Sequence, residues 1–367
     1  MSLDAGFVRA AEARVAAVVA AWRASSALQD ATVALGFGPE TAARGLGAEL
    51  DAWEVDGALA AVIARDLREA SSATRLPRRV VVLAARTLPA SAMRQILWAR
   101  ALGADVVLKP ASGQEALGRA LTLGLAGAVH GLACLVVGPD GREAETDAAV
   151  ASADAVIVLG SDASVARFRS RVRPDQAFVG YGHRLSAAIL TAAASSEDLR
   201  RLTDDLVAWD QSGCLSPRVL WVAGDSDLHD LGTRLATRLE GAVSGLDVLS
   251  PAAAHAQRTA WTRAVMTGRP VLRAGSWCLA VAADGAPYPP EAAPRWLSIA
   301  PLTAVGVSAW GPALSTLGLG AGLGASDLPA NLASPGLRCC PLGEMQRPPL
   351  VWLQDGLAPL SALLRPI

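Results

Sequence analysis

Up to about residue 75 the apolar positions of the chain recur at helical spacing, with Leu, Val and Trp set in an alanine-rich background. That pattern predicts helices. Within it, "GFGPETAARGLGAELDAWEVDGALAAVIARDL" places a turn and Pro39 near a helix start, followed by a long amphipathic stretch. From "RRVVVLAA" onwards the texture changes. Short β-branched runs ("RRVVVLAA", "ADVVLKP", "HGLACLVVG", "ADAVIVLGS") alternate with Ala/Leu stretches of helical character ("SAMRQILWARALG", "GQEALGRALTLGLAG", "ASVARFRSRV"). Such alternation predicts βαβ units and a parallel sheet with helices on both faces. After about residue 185 a second series begins, with "SAAILTAA", "DLRRLTDDLVAWD", "RVLWVAG", "WCLAVAADG" and "RWLSIAPL".

Two stretches resist this simple division. "LTLGLAGAVHGLACLVVG" (121–138) has the length of a membrane span, but its glycines, His130 and β-like end fit a buried helix running into a buried strand better. In the Pro/Gly-rich tail, "LGLGAGLG" (317–324) tempts a dinucleotide fingerprint. It mixes Leu and Gly too loosely for that motif, and reads as a loop or as Gly-rich helix packing.

Length and composition narrow the picture. At 367 residues, 52% hydrophobic and 18% charged, the chain fits two lobes with substantial cores. A net charge of -1 and a pI near 6.4 give no electrostatic reason to expect nucleic acid or an acidic membrane surface. The five cysteines (134, 214, 278, 339 and 340) show no metal-like spacing with the four histidines. They suggest a reduced, cytoplasmic protein without a bound metal. The N-terminus lacks the apolar core and cleavage site of a signal peptide.

Of the 33 basic residues one is a lysine, Lys109, in "ADVVLKP". It falls at a predicted strand end with Pro110 closing the ladder, where ligands of open α/β sheets bind. An ammonium there can hydrogen-bond sugar hydroxyls or a phosphate; equally, it is an ordinary surface cation. A second candidate is "AVIVLGSDASVARF". A strand ends at Gly160, then Ser161, Asp162 and Ser164 open a helix. The pattern fits a pyrophosphate turn or a plain helix cap by Ser161 or Asp162, and Asp162 repels an anion unless it points away. The third is "WDQSGCLSPR", a turn between a helix and a strand that can hold the Cys214 thiol out of the core for attack on a carbonyl. Cys134 and Cys278 lie inside apolar runs and read as core residues.

These segments, in this order, resemble the aldehyde dehydrogenase superfamily, and within it the acyl-CoA reductase branch typified by the fatty-acid reductase of bacterial bioluminescence. "GPETAARGL", "VVLKPAS", "LGS", "GYGHRLSAAI", "DQSGCLSP" and "CCPLGEMQRPPLVWLQDG" carry the likeness, which runs from about residue 30 to the end. The resemblance implies an α/β fold with a Rossmann-type cofactor lobe (1–184), a second α/β catalytic lobe (185–345) and a C-terminal segment (346–367). It also implies a mechanism: Cys214 attacks an acyl-CoA, CoA leaves, and hydride from a nicotinamide cofactor reduces the acyl-enzyme to an aldehyde. Lys109 is then the residue at the adenosine ribose or its 2′-phosphate, and Gly160 and Ser161 line the pyrophosphate path. A homo-oligomer and an acyl-activating partner protein belong to the same implication.

The chain departs from the family pattern at three positions. Gly180 stands 34 residues before Cys214, where hydrolytic relatives carry a general-base glutamate, which suits an acyl group that is reduced and not hydrolysed. Thr87 takes the place of the oxyanion asparagine, as a weaker and shorter donor. Ser112 replaces the glutamate common in NAD-preferring members, which favours NADPH over NADH. Two alternatives remain: a catalytically degenerate binding or scaffold protein, and a reductase of carrier-protein thioesters or acyl phosphates.

Overall fold

The computed structural model describes residues 5–68, 74–86, 88–122, 131–135, 142–224, 227–242, 249–282, 293–308, 310–329, 332 and 336–366. The chain divides into two compact units. One comprises Met1–Leu35, Ala42–His183 and Pro349–Ile367; the other comprises Gly36–Thr41 and Arg184–Pro348.

The first unit opens with four helices: α1 (Ala5–Ala24), α2 (Ala27–Val33), α3 (Pro39–Trp53) and α4 (Ala58–Asp66). Pro39 occupies the first position of α3, where its fixed φ suits a helix and its missing N–H costs nothing. There follow β1 (Thr74–Arg75), β2 (Arg79–Leu83), α5 (Pro89–Ala101), β3 (Asp105–Lys109), α6 (Glu115–Thr122), β4 (Leu132–Cys134), α7 (Arg142–Ser152), β5 (Ala155–Leu159), α8 (Asp162–Arg169) and β6 (Ala177–Tyr181). The sheet order is β4-β3-β2-β5-β6, every neighbouring pair parallel. Strands β2 and β5 are continuous apolar runs because both faces of a parallel sheet are covered. Strand order reverses on either side of β2, so the crevice outside the carboxyl ends of β2, β3 and β5 is the place where such a sheet binds ligands. Beneath the sheet, Trp98 of α5 packs on Trp53 with ring centroids 4.4 Å apart, and Arg94 forms a buried two-pronged ion pair with Glu49.

The second unit contains β7 (Leu185–Thr191), α9 (Ser196–Val207), β8 (Pro217–Ala223), α10 (Leu228–Ala242), α11 (Pro251–Met266), β9 (Val271–Ala274), β10 (Trp277–Val281), β11 (Trp296–Pro301), α12 (Ala304–Ser308), β12 (Leu314–Leu319) and β13 (Arg338–Pro341). Its sheet runs β13-β12-β7-β8-β11-β10-β9, parallel throughout except for the β9–β10 pair at one edge. Leu199, Leu202 and Leu206 of α9 and Leu231, Leu235 and Leu239 of α10 cover one face. Trp221, Trp296 and Trp310 fill the other.

The glycine-rich tail is not a loop or a helix at its start. Leu314–Leu319 is β12, a fully buried strand between β13 and β7. Its glycine has a packing cause: a β-carbon on Gly318 would lie 2.5 Å from Met345 Sδ. Of the 121–138 stretch, the end of α6 and the short, half-buried β4 are described, and residues 123–130 and 136–138 lie outside the described residues. Among the described residues no helix is long and apolar enough to cross a membrane.

Candidate active site

In the first unit, Lys109 is the last residue of β3 and pairs in register with Leu83 at the end of β2. It is half-buried, with Nζ 3.5 Å from the Pro110 carbonyl. Ser112 sits in the following turn, where its carbonyl accepts a 2.9 Å hydrogen bond from Arg86 Nη2. Gly160 and Ser161 leave β5 on the same carboxyl edge, on the other side of β2. The Gly160 N–H donates to the Tyr181 carbonyl at 3.1 Å. Ser161 caps α8: its Oγ accepts from the Ser164 N–H at 3.2 Å. The Asp162 carboxylate accepts from the His183 N–H at 2.8 Å, so it is engaged by the 181–183 segment.

These groups fit a dinucleotide. Gly160 offers backbone without a side chain, and the first-turn N–H groups of α8 lack intrahelical acceptors at a strand-to-helix turn. Thr87 lies outside the described residues. At Gly180 a β-carbon would lie 2.4 Å from Val165 Cγ1 and 3.0 Å from Phe178 Cε1, so any side chain there requires Val165 to move.

In the second unit, α9 ends at Val207 and the chain makes an unusual turn. Trp209 (φ 52°), Asp210 (φ 49°) and Gln211 (φ 58°) are three successive non-glycine residues in the left-handed region, each costing of order 1 kcal/mol. The surroundings impose this path. Asp210 receives a two-pronged ion pair from Arg295, at 2.7 Å from Nε and 3.0 Å from Nη2, and Arg295 is itself buried. Gln211 is 0% exposed. Its amide nitrogen donates to the carbonyls of Pro217 (2.9 Å) and Trp296 (2.8 Å), and its oxygen accepts from the Trp296 N–H (2.9 Å) and Arg218 Nη1 (3.4 Å). Trp209 meets Phe37 edge-on, with ring centroids 5.3 Å apart.

Cys214 follows, exposed, on the turn that feeds the amino end of β8. The Ser186 hydroxyl of β7 donates to its carbonyl at 2.7 Å. Two residues on, buried Ser216 accepts from Gln346 Nε2 at 3.0 Å. The segment holding Gln346 is fixed in turn by Asp205 of α9, whose carboxylate accepts from the N–H groups of Gly343 (2.6 Å) and Met345 (3.0 Å). Burial pushes the Asp205 carboxyl up to about 7 against the pull of those two donors. Thus three sequence segments that carry the family likeness, around Phe37, Cys214 and Gln346, meet at one turn. Side-chain bonds to backbone pin it on several sides, and Cys214 on it is exposed.

The other cysteines differ. Burial drives the thiols of Cys278 and Cys340 up to about 11 and also raises those of Cys134 and Cys339. Cys278 is a core residue and Cys134 is half-buried. Among the described residues no group of His, Cys, Asp and Glu is placed to hold a metal ion. Sequence reasoning missed Asp210, Gln211, Arg295 and Ser186. A left-handed path through Trp, Asp and Gln carries no glycine signal, and the Arg295 and Ser186 contacts are long-range.

Comparison with known proteins places the chain in a family. The family model described as acyl-CoA reductase (LuxC) matches residues 129–366. No curated protein matches the chain significantly. Among solved structures, aldehyde dehydrogenase 21 from Physcomitrella patens, in complex with the reaction product succinate, is 14% identical. That match covers 97% of this chain and 84% of the other, with a TM-score of 0.67. An NAD-dependent aldehyde dehydrogenase from Sinorhizobium meliloti is 17% identical over 92% of this chain and 76% of the other, with a TM-score of 0.66. An NADP-dependent glyceraldehyde-3-phosphate dehydrogenase from Bacillus halodurans C-125, complexed with NADP, is 15% identical over 85% and 74%, with a TM-score of 0.59. These likenesses establish the fold, and the family match establishes membership: the chain belongs to the acyl-CoA reductase (LuxC) family of oxidoreductases, built on the two-lobed α/β fold of the aldehyde dehydrogenase superfamily.

Proposed function

We propose that the protein reduces an acyl-CoA thioester to an aldehyde with NADPH, through a covalent acyl-Cys214 intermediate. The observation that carries this reading is the exposed Cys214 thiol on a turn that Asp210, Gln211 and Ser186 hold in place. In the first step the Cys214 thiolate attacks the thioester carbonyl, and the tetrahedral adduct collapses with loss of CoA as its thiolate. A nicotinamide cofactor bound in the first unit would supply a hydride, and the acyl carbon on Cys214 would take it up to give a thiohemiacetal anion. Collapse of that adduct breaks its C–S bond, releases the aldehyde and restores the Cys214 thiolate.

The first unit serves as the cofactor lobe in this reading. Lys109 holds the adenosine ribose, and the Gly160–Ser161 turn receives the pyrophosphate. Ser112, in place of an acid, leaves a 2′-phosphate unrepelled. Thr87, by its place in the sequence, offers its hydroxyl to the developing oxyanion. Glycine at position 180 supports reduction over hydrolysis, since it supplies no general-base carboxylate. Replacing Cys214 by alanine is expected to reduce acyl-CoA-dependent NADPH oxidation to the background rate while the circular dichroism spectrum is unchanged. Undiminished oxidation in that variant contradicts the proposal.

A further inference from the structure

We infer that Arg86 binds the phosphomonoester of an adenosine ribose, a group carried both by NADP, as its 2′-phosphate, and by CoA, as its 3′-phosphate. The inference rests on the proposed nucleotide role of the first unit and names a residue which that reading leaves out. Arg86 lies three residues beyond Leu83, the last residue of β2, at the point where the sheet's strand order reverses. β2 and β3 remain joined past their ends, through a 2.9 Å bond from the Ala84 N–H to the Lys109 carbonyl. The Arg86 side chain then crosses to the Ser112 carbonyl at 2.9 Å, so the guanidinium stands against the turn that follows Lys109.

This bond uses one of five guanidinium donors. Among the described residues Arg86 forms no ion pair, and its side chain is exposed. The remaining donors form a planar fork suited to two oxygens of a phosphate, which a point-charge ammonium cannot match. The residue it touches is a serine with no negative charge. Glu115, the acid of the same turn, has Oε1 on the Gly113 N–H at 3.0 Å. Arg86 and Lys109 together therefore outweigh it, and the strand-end crevice favours a dianion.

The test is calorimetric titration of the full chain with NADP⁺, NAD⁺, CoA and 3′-dephospho-CoA, for the wild type, Arg86→Ala and Arg86→Lys. We expect Arg86→Ala to weaken the phosphorylated member of a pair by about tenfold or more and its partner by less than about twofold. Arg86→Lys should fall between. A selective loss for NADP⁺ assigns the site to the 2′-phosphate; a selective loss for CoA assigns it to the 3′-phosphate. Equal losses within both pairs, or none, overturn the inference. Wild-type protein that binds NAD⁺ as tightly as NADP⁺ contradicts the NADPH reading instead, and the CoA pair then decides on Arg86.

Discussion

A glutamine amide has two donors and two acceptor lone pairs, and at Gln211 all four are used in a site closed to water. Its neighbours Trp209 and Asp210 share its left-handed conformation, which these side chains do not favour by themselves. The network therefore holds an unfavourable backbone path that ends at Cys214. Truncation in Gln211→Ala removes the Gln211 bonds to the Trp296 N–H and to the carbonyls of Pro217 and Trp296. The expected cost is on the order of 3 kcal/mol, read as a lower urea midpoint. Below that midpoint, acylation of Cys214 by acyl-CoA should slow by at least about tenfold, because the released turn relaxes towards ordinary φ values. Gln211→Glu, which keeps the acceptor and loses the donors, should retain part of the rate. A wild-type acylation rate in Gln211→Ala would show that the network stabilises the lobe without positioning the thiol.

At the scale of elements, α9 and the segment after β13 are joined by one buried carboxylate, Asp205. Its folded-state pKa, about 7, lies above the ordinary aspartate value near 3.9. Between roughly pH 4 and pH 7 the folded state therefore holds more of this proton than the unfolded chain does, so this group's contribution to stability falls as pH rises through that window. The steepest slope for one proton is about 1.4 kcal/mol per pH unit. Urea unfolding from pH 4.5 to 8 (chosen to span about the whole titration) should show a smaller decline for Asp205→Asn than for the wild type. Parallel profiles would mean that the carboxylate stays ionised when buried.

The same elements show what the sequence reveals and what it hides. β2 and β5 are legible because a parallel strand covered on both faces must be a continuous apolar run, and "RVVVL" and "AVIVL" have few other uses. β12 is not, because its glycine makes room for Met345, a contact that no local pattern announces. The strand-end position of Lys109 and the turn position of Cys214 follow from local spacing. Arg295 on Asp210 and Gln346 on Ser216 do not, being contacts across 85 and 130 residues.

Over the whole molecule, the chain passes between the two units four times. Residues Gly36–Thr41 belong with the second unit, where Phe37 packs on Trp209, and Pro349–Ile367 returns to the first. There Leu360 donates its N–H to Asp66 at 3.0 Å, Arg365 pairs with Asp154, and Arg365–Pro366 forms a short antiparallel pair with β1. Neither lobe is a simple segment of sequence, so the Cys214 turn depends on residues from both ends of its unit. The central claim is that this turn carries a thiol that is acylated and then discharged by reduction. Intact-mass spectrometry of the full chain tests it most directly, after incubation with a medium- or long-chain acyl-CoA and again after a chase with NADPH. The account predicts an acyl mass increment that maps to Cys214 and disappears on the chase as aldehyde forms. An increment at another cysteine, or one at Cys214 that NADPH does not discharge, would contradict it.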